Sequence, residues 1–242
     1  MDEMEKIQQD LDMDTPIDPD RLMKAANTFE TAGNQWMSLR SRLDNASDYQ
    51  TREYALFSKL HMQANGVDPD QMALLLMWQG GCLRSMARNI PPPMPPQGLD
   101  MQAVIKMKDA NDSMDSTPTI SSMSSAQLIT APPFDVDAVL KEPVIAEEHA
   151  QLCDDHLKLI EFGARYDSFD AAGKIAYIDQ IEKIEERWDV YFARFGLMGK
   201  LNDDFTKQCE AFLASVKMNE REYRGMLQKT HDVMRAQAER ER

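Results

Sequence analysis

The segment Glu147 to His156 concentrates the groups that could do chemistry. His149, Cys153 and His156 fall at i, i+4 and i+7, so on a helix two imidazoles and a thiol share one face. Imidazole nitrogen and thiolate sulfur are the donors that hold zinc. Only three ligands are local, no other Cys/His pair has usable spacing, and Glu-x-x-His, the signature of di-iron bundles, is absent at all four histidines. The competing reading makes His149 and His156 boundary residues beside a Leu152 and Leu159 stripe, with the neighbouring carboxylates solvated. Elsewhere the chemistry thins. Gly163, Gly173 and Lys174 do not form G-x-x-x-x-G-K-[ST], and no strand precedes them, so they read as a helix end, a turn and a new cap. Gly80 and Gly81 interrupt a helical pattern at about 1 kcal/mol each relative to Ala, which implies close helix approach or a kink. There is no G-x-S-x-G, no H-E-x-x-H and no Ser/His/Asp arrangement. Trp36, Trp78 and Trp188 each sit on the apolar stripe of a helix, where core packing rather than cofactor stacking is expected.

The elements that position these residues are helices. Glycine is scarce at 10 residues of 242, methionine abundant at 18, and aromatics are 7% of the chain. This composition favours helix over sheet. Ile17-Asp18-Pro19-Asp20 and Val67-Asp68-Pro69-Asp70 are two helix starts of the same design. Asp at the N-cap accepts orphan N–H groups, Pro at the first helical position has no N–H to lose, and the next Asp favours the positive end of the dipole. The residues around the two caps do not otherwise match, so they read as one device used twice rather than a duplicated segment. Leu22, Ala25, Phe29, Ala32, Trp36, Leu39 and Leu43 predict one amphipathic helix. Asp48 to Ala64 predicts a second, and Met72 to Met86 a third. In the second half, Tyr177, Ile181, Ile184, Trp188, Tyr191 and Phe195 alternate steps of four and three. Phe205, Cys209, Phe212, Val216, Asn219, Tyr223, Met226, Thr230 and Val233 continue that rhythm after a stop at Gly196 to Gly199. Asn219, polar on an apolar seam, is expected to set register or a partner contact in one long last helix, which could dimerise.

The expected architecture is all-α: two small helical bundles joined by a Pro/Ser-rich linker, the second an antiparallel three-helix bundle with coiled-coil-like packing. The divisions are an acidic tail over 1–16, expected to be disordered, an N-terminal three-helix module over 17–89, a linker over 90–133 and a C-terminal module over 134–242. The linker contains Pro91-Pro92-Pro93-Met94-Pro95-Pro96 and a Ser/Thr-rich stretch over 116–125, and no aromatic occurs between Trp78 and Phe134. Residues 1–20 hold eight acids and one lysine, a net of −7 against −14 for the whole chain. That charge repels nucleic acid and anionic lipid, and no run approaches the roughly 20 apolar residues of a membrane span. The acidic first residues do not look like a signal peptide. Cys82, Cys153 and Cys209, far apart and outside any C-x-x-C, read as buried free thiols of a reducing compartment, so a cytoplasmic location is expected.

The run Leu159-Ile160-Glu161-Phe162-Gly163-Ala164-Arg165-Tyr166 is followed by Phe169-Asp170, Gly173-Lys174, Tyr177, Gln180-Ile181-Glu182, and Arg187-Trp188 to Arg194-Phe195. Together these resemble a family of small uncharacterised helical proteins from cyanobacteria. The resemblance spans roughly residues 134–240 and implies a helical fold and a photosynthetic bacterial source, but no activity. The functional expectation is a non-catalytic interaction protein, a scaffold, assembly or regulatory factor with a protein partner and no cofactor. The alternative is an enzyme or sensor built around a bundle-bound metal or small ligand.

Overall fold

A computed structural model describes residues 6, 7, 10, 13, 15–102, 104, 105, 131–134 and 143–242, and all that follows concerns these. They are all-helical, with no strand, and their elements follow in order: α1 (Pro19–Asp44), α2 (Tyr49–Ala64), α3 (Pro69–Ala87), α4 (Pro143–Gly163), a 3-10 turn (Tyr166–Ser168), α5 (Ala171–Leu197), α6 (Asp203–Ser215) and α7 (Glu220–Arg240). No described helix is long and apolar enough to cross a membrane. The Ser/Thr-rich stretch 116–125 and most of the acidic tail lie outside the described residues.

The chain divides into two compact units, Met1–Asn45 with Ser58–Asp115 and Ala46–Phe57 with Ser116–Arg242. In the first unit the paired caps act as the sequence implies. The Asp18 carboxylate accepts from the Asp20 N–H at 3.1 Å and the Asp68 carboxylate from the Asp70 N–H at 2.9 Å. Helices α1 and α3 pack through glycine. A Cβ on Gly33 would come within 2.7 Å of Met77 Cγ, and one on Gly80 within 2.9 Å of the Ala26 carbonyl oxygen. Gly80 is thus a site of close approach. The core beside it is Leu22, Ala25, Ala26 and Leu83, joined by Ile7 from the acidic tail. Within that tail, expected to be disordered, Asp10 also accepts from Arg21 at 3.1 Å. The proline run is not a free tether at its start. Trp78 Nε1 donates to the Pro93 carbonyl at 2.9 Å, and Gln71 bonds both the Gly98 carbonyl and the Asp100 N–H, which holds residues 93–100 against α3.

In the second unit a ring-rich core, Tyr49, Tyr166, Tyr177, Ile178, Ile181 and Met234, adjoins Phe134, Leu152, Ile184, Tyr191 and Phe195. Sequence reading assigned all of α2 to the N-terminal module. The structure groups its first turns with the C-terminal helices, because Tyr49 is buried edge-on against Tyr166 and Tyr177, with centroids at 5.3 and 4.9 Å. The expected continuous seam through Asn219 is broken into α6 and α7. Lys217 takes the left-handed region at φ 52°, and the Met218 and Lys217 N–H groups donate back to Leu213 and Ala214, the usual closure of a helix end. Asn219 then starts α7 through a capping box: its side chain accepts from the Glu222 N–H at 2.9 Å and Glu222 accepts from the Asn219 N–H at 2.8 Å. It is a cap rather than a polar residue inside a coiled-coil seam. The C-terminal half therefore carries four helices where three were expected.

Candidate functional site

The residues singled out on the sequence fall on α4. His149 and Cys153 meet, with the thiol 3.6 Å from Nε2, and the His149 ring stands edge-on to Phe134 and Trp188 at 5.3 and 6.0 Å. His156 faces Trp188, with centroids 6.3 Å apart. Aromatic rings thus line this face, with the Trp188 indole beside both His149 and His156.

A different set of groups converges in the second unit. Among the described residues, Glu53 from α2, Glu185 from α5 and His231 from α7 each offer one donor atom, and these atoms lie within 4.8 Å of one another. Each residue is placed by its helix. Glu53 sits one turn after Tyr49, whose buried ring anchors that end of α2, and the Tyr49 hydroxyl donates to Glu53 Oε1 at 2.8 Å. Glu185 lies between the core residues Ile184 and Trp188 on α5. His231 follows the fully buried Thr230, whose hydroxyl is spent on the Met226 carbonyl at 2.9 Å. His231 is itself only 1% exposed. Its Nε2 is 2.6 Å from Glu53 Oε1, and its Nδ1 is 3.4 Å from Glu182 Oε1. Glu182 is held in turn by Arg235, whose Nη1 donates to Oε1 at 2.9 Å and whose Nη2 donates to Oε2 at 2.5 Å.

The electrostatics follow from three half-buried carboxylates around one fully buried imidazole. Burial, reinforced by the charges of Glu53 and Glu182 against the opposing pull of His231, pushes the Glu185 carboxyl up to about 7. Burial alone would depress His231, but the hydrogen bond to Glu53 and the charges of Glu185, Glu53 and Glu182 outweigh it and hold the imidazolium above the usual histidine range. Glu182 goes the other way, kept below the usual carboxylate range by the Arg235 hydrogen bond against its burial. Burial and Glu53 raise the Tyr49 phenol, so it stays a hydrogen-bond donor. The arrangement can hold a proton or a cation between two carboxylates and an imidazole. Sequence reasoning missed it because Glu53 and His231 are 178 residues apart. The available signal was a histidine and a glutamate beside the apolar seams of α7 and α5.

Fold and site together define an all-helical protein with half-buried carboxylates gathered around a buried imidazole. Residues 138–238 match the model of a Domain of unknown function (DUF1825), which bears out the resemblance seen over the C-terminal half. That family description names no catalytic relative, and no family model matches the N-terminal half. No curated protein and no solved structure matches the chain.

Proposed function

We propose that this is a non-catalytic interaction protein: two helical bundles joined by the Pro/Ser-rich segment 90–133, serving as a scaffold, assembly or regulatory factor in the cytoplasm of a photosynthetic cell. The observation that carries this reading is a groove of about 530 Å³ between α4 and α5. Its apolar lining is Leu159, Phe162 and Ile184, and its charged lining is Asp155, Lys158, Lys183 and Arg187. Apolar area with a charged rim is the anatomy of a protein interface. Phe162, at the groove, leaves 54% of its surface exposed. The net charge of −14 favours a protein partner over nucleic acid. The methionines add adaptable contact surface, and two modules on one chain raise the effective concentration of a second contact once the first has formed. Self-association through the last helix is the lesser form, since Asn219 is occupied as a cap.

The test is capture from native cells with the tagged full chain and with a Phe162→Ala, Lys183→Glu variant whose far-UV circular dichroism is unchanged. A partner protein recovered at fixed stoichiometry with the natural chain and depleted with the variant is the expected result. Equal recovery with both would remove the groove from the account.

A further inference from the structure

We propose that Glu53, Glu185 and His231 form a binding site for one divalent transition-metal ion of the zinc class. A tetrahedral ion with bonds of about 2.0–2.2 Å places its ligand atoms roughly 3.3–3.6 Å apart. Three donors already within 4.8 Å of one another, one pair at 2.6 Å, are within about an ångström of that spacing. One imidazole nitrogen and two carboxylate oxygens are a borderline-to-hard donor set suited to zinc, with manganese and ferrous iron as the competing ions.

The groups behind the ligands are arranged for the same purpose. Glu182 stands 3.4 Å from Nδ1 of His231, beside the ring nitrogen that would keep its proton once Nε2, hydrogen-bonded to Glu53 at 2.6 Å, gave its proton up to a metal. Arg235 fixes Glu182, and the Tyr49 hydroxyl fixes Glu53. Metal-bound histidines and carboxylates are oriented by such outer partners. On binding, His231 serves as the neutral imidazole and releases a proton to solvent.

Separately, the course of residues 18–88 repeats that of residues 170–240. Each has a long helix capped by aspartate, Asp18 or Asp170, carrying a glutamate and then a tryptophan, Glu30 and Trp36 or Glu182 and Trp188. Each then has a shorter helix closed by a residue of positive φ, Gly66 or Lys217, and a third helix capped by Asp68 or Asn219. The ion pair recurs as well: Arg84 grips both Glu30 oxygens through Nε and Nη2, and Arg235 grips both Glu182 oxygens through Nη1 and Nη2. At this near-constant spacing Gly33 stands where Glu185 does, and Gly80 where His231 does. In the first unit these two glycines close the helix pair into backbone contact. The Arg–Glu clamp and its helices thus pair without any polar group at these positions. Glu185 and His231 are an addition to the scaffold, which is what a ligand site requires and a packing interface does not.

The probes are zinc and cobalt, titrated into full-length chelator-treated protein by calorimetry and absorption. The expected result is one equivalent bound, at least tenfold weaker in Glu185→Gln and in His231→Gln, unchanged in Cys153→Ser, with a cobalt spectrum lacking a thiolate charge-transfer band. Glu185→Gln is nearly isosteric and neutral, so it carries the test if His231→Gln fails to fold. No uptake, uptake indifferent to Glu185→Gln, or a thiolate band lost in Cys153→Ser would each overturn the assignment, the last by moving the metal to the His149 and Cys153 face.

Discussion

Replacing Gly80 with alanine perturbs the helix contact of the first unit at one atom. The added Cβ would lie 2.9 Å from the Ala26 carbonyl oxygen, 3.2 Å from the Glu30 nitrogen and 2.7 Å from Glu30 Cγ. Glu30 Cγ can swing aside, but that swing disturbs the carboxylate that Arg84 grips, and the Ala26 oxygen is backbone and can only move with α1. Overpacking of this kind costs about 1–3 kcal/mol, while alanine in a helix interior returns about 1 kcal/mol over glycine. The difference leaves an expected net loss of up to about 2 kcal/mol. Gly225 is the control. It too is inside a helix, α7, but nothing lies within 4 Å of its virtual Cβ. Gly225→Ala should therefore stabilise by up to about 1 kcal/mol. Urea unfolding followed by far-UV circular dichroism gives both midpoints. The opposite signs are the prediction; a stabilised Gly80→Ala would refute the close-packed reading of α1 and α3.

Asn219→Ala removes both hydrogen bonds of the capping box and should lower stability by about 1 kcal/mol without altering the oligomer distribution in light scattering; a changed distribution would restore the seam reading. For chelated protein, melting temperature should fall as pH rises from about 5 to 8. Glu185 binds its proton more tightly folded than unfolded, so its contribution is lost between the ordinary glutamate value of about 4.5 and about 7. His231, raised above 6.5, adds a loss of the same sign at higher pH. Glu185→Gln should flatten the lower part of this decline, by about 1–2 kcal/mol after discounting for partial exposure, and an unaltered profile would show that Glu185 titrates normally. Trp78→Phe deletes the donor to Pro93 and should increase proteolysis within residues 90–100 while leaving the helix content intact; unchanged cleavage would mean other contacts hold the proline run.

Local chemistry made much of this fold legible. Asp18-Pro19, Asp68-Pro69, Asp170 and Asn202 announce helix starts by side-chain chemistry alone, and all four accept the expected backbone N–H groups. The four-three rhythm from Tyr177 to Phe195 placed the buried face of α5, where Tyr177, Ile181, Ile184, Tyr191 and Phe195 are in the core. What failed was non-local or hidden by residue type. The break after Ser215 uses Lys217 at positive φ, where glycine or asparagine would have been the recognisable signal. Asn219 continues the apolar spacing by coincidence while acting as a cap. The grouping of Tyr49 and Glu53 with α5 and α7 depends on contacts more than a hundred residues distant, which periodicity cannot report. The candidate cluster was illegible for the same reason: its three donors come from three helices, whereas the sequence drew attention to His149, Cys153 and His156 because they are near neighbours in the chain.

The most direct test of the interaction role is native mass spectrometry of the tagged full chain purified from its own cells. The account predicts a complex whose mass is this chain plus a second protein at fixed stoichiometry. The bare chain alone, or a chain carrying only a small-molecule adduct, would contradict it.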